Sequence, residues 1–290
     1  MADGAPPDLA ALYRQTRTRL GELVGGLGPA ELATAVPACP GWSVHDVLAH
    51  LTAVAEDVLE GRLTAPPDDE HTAGQVARFR GTPTGTVLER WAELAPQLEA
   101  MIDTFTVWPA VLDVGTHEQD IRTAVGLPGA RHSDVVVLGA AQLLTWLRPP
   151  VPLRVVVEDE TFHTGPDGEP GRGPDHEPLT VRSDRFEVFR WRLGRRSRRQ
   201  LSAMDWSADP TPVLDHLVIF GPSPVDLVES ERPGAPPATS AAVAAAALPT
   251  HPEDGDQLAE DERHGASVAD PPLRLAADPG RRMTGPAASE

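Results

Sequence analysis

The stretch VLDVGTHEQDIRTAVG, Val111 to Gly126, decides how the whole chain is read. Pro109 just ahead of it suits a first helical turn, and Gly126 suits a helix end, so the segment is expected to be helical. On such a helix Asp113, His117 and Asp120 fall at i, i+4 and i+7, one stripe of the surface. That spacing normally carries the apolar residues that face a core. The stripe is therefore either a wet outer face or a set of ligands turned inward. Side chains at i and i+4 point the same way, so Asp113 and His117 form a workable two-ligand clip.

Three more helices surround this one. PDLAALYRQTRTRLGELVGGL carries an apolar stripe of Leu9, Leu12, Tyr13, Thr16, Leu20, Leu23 and Val24. PGWSVHDVLAHLTAVAEDVLEGRL opens with Ser43 as an expected N-cap and Asp46 as a carboxylate at the helix's positive end. GTVLERWAELAPQLEAMIDTF turns Val87, Trp91, Leu94, Leu98 and Met101 or Ile102 inward, and its Pro96 predicts a kink or break. Four helices of comparable periodicity predict an antiparallel bundle over residues 8–130.

His50 lies on the face of its helix shared by Val47, Leu51, Val54 and Val58. Alone, a histidine there reads as a satisfied buried imidazole. Paired with His117 on an inward face of the same bundle, it becomes a third ligand beside Asp113 and His117. Two imidazoles and one carboxylate suit a divalent transition metal and leave a position open for water or substrate.

Beyond Leu127 the pattern changes. SDVVVLGAAQLLTWLR reads as an amphipathic helix, PLRVVVED, ETFHTG and PLTVRSD as strands, and GPDGEPGRGPDHEP as a long connection. A helix is expected at DRFEVFRWRLGRRS, a strand at RQLSAMDW and a closing helix at PTPVLDHLVIFG. These make a small α+β domain over residues 133–228. From 232 to 290 the chain has no aromatic residue and many Pro and Gly, the composition of a disordered tail. The fold class is α+β: a helical bundle, a small mixed domain and a tail.

Composition narrows the function. The net charge of −18 argues against a nucleic-acid or anionic-membrane binder. The single cysteine, Cys39, permits no intramolecular disulfide or Cys-rich zinc site. No basic, apolar leader and no run of roughly 18 apolar residues is present, so a cytoplasmic protein is expected. HEQDI is not H-E-x-x-H, and a chain with no lysine has no P-loop. No serine sits in a G-x-S-x-G setting.

Cys39, between Pro37 and Pro40, reads as a small buried hydrophobe rather than a thiolate, and Trp42 as a packing anchor. Glu118 points away from the Asp113–His117 stripe and reads as solvated. Asp120 reads as an acceptor for His117 or as a partner of Arg122 or a neighbouring helix. Arg190, Arg192, Arg195, Arg196, Arg198 and Arg199 read either as a solvated helix end or as an anion clamp.

These segments resemble a known family. PACPGWSVHDVLAHL is similar to the signature of mycothiol-dependent maleylpyruvate isomerase-like proteins, which share the DinB-like four-helix bundle. VLDVGTHEQDIRTAVGLPGAR resembles the fourth-helix signature of an actinobacterial branch, and FRWRLGRRSRRQLSAMDW resembles the family's small α+β module. The likeness spans residues 8–225. It implies a divalent metal, usually zinc, on His50, Asp113 and His117, with Asp113 where the better-known isomerases carry Glu. It also implies mycothiol as thiol cofactor at the open position, which accounts for the lack of a catalytic cysteine. The expected function is a mycothiol-using isomerase or thiol S-transferase acting on a small electrophile, with Arg195 or Arg196 orienting a carboxylate. The protein would be a monomer or homodimer. The alternative is a non-enzymatic metal- or ligand-binding protein, or an interaction module, on the same bundle.

Overall fold

The computed structural model describes residues 6–63, 68–166 and 177–229. The tail expected at 232–290 and most of the GPDGEPGRGPDHEP connection lie outside the described residues. Four long helices dominate the first half: α1 (Leu9–Gly25), α3 (Val44–Leu59), α5 (Thr84–Phe105) and α6 (Trp108–Ala124). Between them lie a single turn, α2 (Pro29–Leu32), and a further helix, α4 (Asp69–Arg78). Helix α1 packs against α5 and α6, while α3 packs against α4, α5 and α6.

Local chemistry sets the entry of α3. The Ser43 side chain accepts from the Asp46 amide, and Asp46 accepts in turn from the Ser43 amide at 2.8 Å. This reciprocal cap satisfies donors the first turn would otherwise leave open. Helix α5 does not break at Pro96; it runs through it for 22 residues. Leu94, Ala95 and Leu98 around the proline are all buried, and that packing offsets the lost backbone hydrogen bond. Trp91 anchors the bundle centre, its indole N–H donating to Tyr13 Oη at 2.8 Å.

The second half is a four-stranded sheet with helices on it. Its strands are β1 (Leu153–Val157), β2 (Glu160–Thr164), β3 (Leu179–Ser183) and β4 (Asp205–Trp206), in the order β2-β1-β3-β4. β1 pairs antiparallel with β2 and parallel with β3, and β3 pairs antiparallel with β4. Alternate residues Leu153, Val155 and Val157 point into the core. Helix α7 (Asp134–Thr145) packs on α8 (Arg185–Arg192) and also on α6 and α1. Gly139 permits that contact, because a Cβ there would stand 2.8 Å from Phe189 and 2.9 Å from Leu112.

Three expectations are corrected beyond β3. Helix α8 ends at Arg192 rather than continuing to Ser197, because the chain turns at Gly194. That residue has φ +79 and sits where a Cβ would be 2.5 Å from the Gly221 carbonyl. The strand expected at RQLSAMDW is a short helix, α9 (Arg198–Ser202), capped by Ser197, with only Asp205–Trp206 extended. The closing helix expected at PTPVLDHLVIFG is a single 3₁₀ turn, Leu214–His216. Its apolar residues Val213, Leu214 and Leu217 are buried by packing rather than by helical periodicity. Among the described residues no helix is long and apolar enough to cross a membrane.

Candidate metal centre

Helices α3 and α6 bring the three residues singled out by spacing into one group. Ligand atoms of His50, Asp113 and His117 all lie within 4.8 Å of one another. His50 Nε2 is 3.8 Å from Asp113 Oδ2, and His117 Nε2 is 3.5 Å from Asp113 Oδ1. The imidazoles stand edge to face, 5.3 Å apart, and Trp42 packs against His50 at 5.0 Å. Both histidines are buried, whereas the Asp113 side chain keeps 29% of its surface, so the group opens on the aspartate side.

The outer nitrogens fix both tautomers. Gln75 Nε2 donates to Asp57 Oδ2 at 2.7 Å, so its Oε1 faces His50 Nδ1 at 2.9 Å and the histidine must be the donor. His117 Nδ1 is 3.0 Å from Asp120 Oδ2, a carboxylate that only accepts. Both Nδ1 atoms therefore carry protons, and both Nε2 lone pairs face Asp113. Burial alone would raise the Asp113 pKa; only with their Nε2 atoms protonated, His50 donating and His117 adding positive charge, do the histidines hold it below the usual carboxylate value. With the histidines neutral, three acceptors converge with no donor among them, and either protons on Nε2 or a cation would satisfy them.

Spacing fits a small ion. Metal–ligand bonds of about 2.0–2.2 Å place tetrahedral donors roughly 3.4 Å apart, close to the 3.5 and 3.8 Å seen here. Asp113 spans that distance despite being shorter than Glu. A second group, Cys39, His117 and Asp120, also draws together. Its histidine nitrogen is Nδ1, already committed to Asp120, so it offers a weaker donor set. Cys39 Sγ lies 3.7 Å from Asp120 Oδ2, and burial followed by the Asp120 charge pushes its thiol pKa well up. Cys39 stays a thiol.

The supports behind the histidines are charged. Asp120 is fully buried and held by Arg190 Nη2 at 2.6 Å and Arg195 Nη2 at 2.9 Å. Burial opposes its ionisation, yet Arg195 and Arg190 together hold its pKa far below the ordinary value. Asp57 is also buried, and Gln75, Arg62, Arg78 and His71 overcome that burial to lower its pKa from 3.8 to about 2. A depressed carboxylate contributes stability above its ordinary pKa and loses it as pH falls through the folded value. The acid limb of a urea-denaturation series is thus expected to weaken between pH 3.8 and about 2. Asp57→Asn should remove that dependence, and an unchanged acid limb in the variant would refute it.

Two readings of charged residues are corrected. Glu118 is not solvated: it is fully buried and paired with Arg19 at 2.7 Å and Arg122 at 3.0 Å. The arginine run is neither a solvated helix end nor one open clamp. Arg190, Arg192 and Arg196 are buried, and only Arg198 and Arg199 are exposed. Arg192 meets backbone carbonyls of Leu143 and Leu217. Burial and the nearby Arg148 lower its pKa to about 10. Arg196 spends its nitrogens on Glu187, Glu229 and the Arg195 carbonyl. Arg195, beside Asp120, keeps 14% of its side-chain surface.

Spacing along one helix missed Gln75 and Asp57. For Gln75 an available signal was the Asp68 cap, with Asp69 and Glu70 in the first turn and Arg78 in the last, which marks α4; for Asp57 it was the i, i+7 spacing from His50 on α3.

Residues 13–148 match the family model described as the mycothiol maleylpyruvate isomerase N-terminal domain. These residues therefore carry a domain similar to the mycothiol maleylpyruvate isomerase N-terminal domain. Among solved structures the chain is similar to the crystal structure of the mycothiol-dependent maleylpyruvate isomerase, with 14% identity and a TM-score of 0.47. A histidine-to-alanine mutant of that isomerase gives 14% identity and 0.48. Each alignment covers 70% of this chain and 93% of the other. No curated protein matches the chain significantly. The matched domain is one named for a mycothiol-dependent isomerase, and in this chain it is followed by a small α+β region.

Proposed function

We propose that this protein is a divalent-metal enzyme that uses mycothiol to isomerise, or to transfer the thiol onto, a small electrophilic substrate. The observation that carries the reading is the convergence of His50 Nε2, Asp113 and His117 Nε2 with both Nδ1 atoms tied off. These three residues would hold the metal, with zinc best suited to two imidazoles and a carboxylate. A bound cation there would lower the pKa of a small-molecule thiol at the open position and so favour its thiolate form.

The chain's own residues do the positioning. Gln75 and Asp120 orient the two imidazoles, and hydrogen-bonded supports of this kind are worth about 10–100-fold in metal affinity. Cys39, kept neutral, does not compete as a nucleophile. Arg195, bonded to Asp120 and to the Leu193 carbonyl but with 14% of its side chain exposed, would orient a carboxylated substrate beside the group, whereas Arg196 is buried on Glu187 and Glu229.

The test is turnover of maleylpyruvate and of other small electrophiles by zinc-loaded protein with and without mycothiol. Turnover strictly dependent on thiol supports an enzyme. Absence of turnover with any low-molecular-weight thiol overturns it in favour of a binding protein.

A further inference from the structure

A cleft lined by Arg19, Arg122 and Phe186 does not open on the His50–Asp113–His117 group. It lies around the far side of α6, since Arg122 is nine residues from Asp113 and so about 180° round the helix at roughly 100° per residue. The cleft is open to solvent and has a volume of about 650 Å³, within the range of small-molecule sites. Arg19, Arg122, His132 and Ser133 form its polar wall, and Pro128 and Phe186 its apolar one. Sharing Arg122 and Phe186, a small adjoining recess reaches in to Gln119 and Thr123.

Three observations give this cleft a charge preference. Arg19 and Arg122 share one carboxylate, Glu118, so two guanidinium groups meet a single negative charge. Ser133 is the N-cap of the 12-residue helix α7 but makes no side-chain cap, and its buried Oγ has no hydrogen-bond partner among the described residues. Gln119 is 3% exposed, lines the recess, and its Nε2 donor is also unpartnered. A buried amide left without an acceptor is costly unless something fills the role. The carboxylates at the rim are already engaged. Asp184 accepts from the Glu187 amide at 2.7 Å, and Glu229 is held by Arg190 and Arg196.

We propose that this cleft binds a small organic oxyanion, a carboxylate or phosphate ester, separately from the metal centre. Arg122 and Arg19 face the anionic head, Gln119 Nε2 and the uncapped start of α7 donate to it, and Pro128, with the Arg131 guanidinium that covers the Phe186 ring at 3.6 Å, receives its planar body.

Titration calorimetry of the full chain with benzoate and with inorganic phosphate tests this. One site per chain with a dissociation constant below about 1 mM is expected, benzoate being the tighter because of its planar body. Phosphate binding more tightly would still support the site and would name its headgroup. Arg122→Gln and Gln119→Leu should each weaken binding about tenfold or more. Gln119→Leu removes a group with no partner, so it tests the site even where Arg122→Gln disturbs folding. His117→Ala should leave oxyanion affinity unchanged. No saturable binding of either probe overturns the proposal. So does binding that survives both cleft substitutions, or that disappears with His117→Ala.

Discussion

A His117→Ala variant is expected to lose stoichiometric divalent metal while retaining its fold. Removing the imidazole takes away Nε2, one of three converging acceptors, and leaves His50 and Asp113 as an open pair. The loss of affinity should exceed the roughly 10–100-fold that follows from removing only a hydrogen-bonded support. The fold should survive because Asp120 stays paired with Arg190 and Arg195 after His117 is gone. Elemental analysis after dialysis, with far-ultraviolet circular dichroism as the folding control, reads both parts. A folded variant that still carries one metal per chain would show that His117 is not a ligand.

The largest effect on stability is expected from Arg190→Met. Arg190 is 1% exposed and joins two buried carboxylates, Asp120 and Glu229, each at 2.6 Å, while also donating to Thr116. Replacing a buried hub of this kind leaves uncompensated charge and costs about 3–5 kcal/mol. For a chain of this size that corresponds to a fall in Tm on the order of 10 °C. The same substitution loosens the support of His117 through Asp120, so metal affinity should fall with it. A change below about 1 kcal/mol, the range of solvated pairs, would contradict the buried-hub description.

That His50, Asp113 and His117 face the bundle interior was legible in the sequence from helical periodicity, and the family resemblance joined them into one set. Two sit four residues apart on one helix, and the third lies on the apolar face of another. What surrounds them was not legible by that route. Gln75 reaches His50 only through the way α4 lies on α3, and Arg190 reaches Asp120 across 70 residues. No local period encodes such contacts. Glu118 misled for a related reason: its angle on α6 is right, but Arg19 from α1 covers the face it occupies. In the second half, strands with strict alternation such as Leu153–Val157 were readable. The segment 210–221 was not, because its buried Val213, Leu214 and Leu217 mimic a helical stripe on a chain that makes one 3₁₀ turn.

His50 Nε2, Asp113 and His117 Nε2 are proposed to hold one metal ion between them. Anomalous scattering from crystals of the metal-loaded protein tests this most directly. One anomalous peak is expected among those three atoms, with His117 Nδ1 still bonded to Asp120. A peak between Cys39, His117 Nδ1 and Asp120, or none at either group at full metal loading, would contradict this assignment.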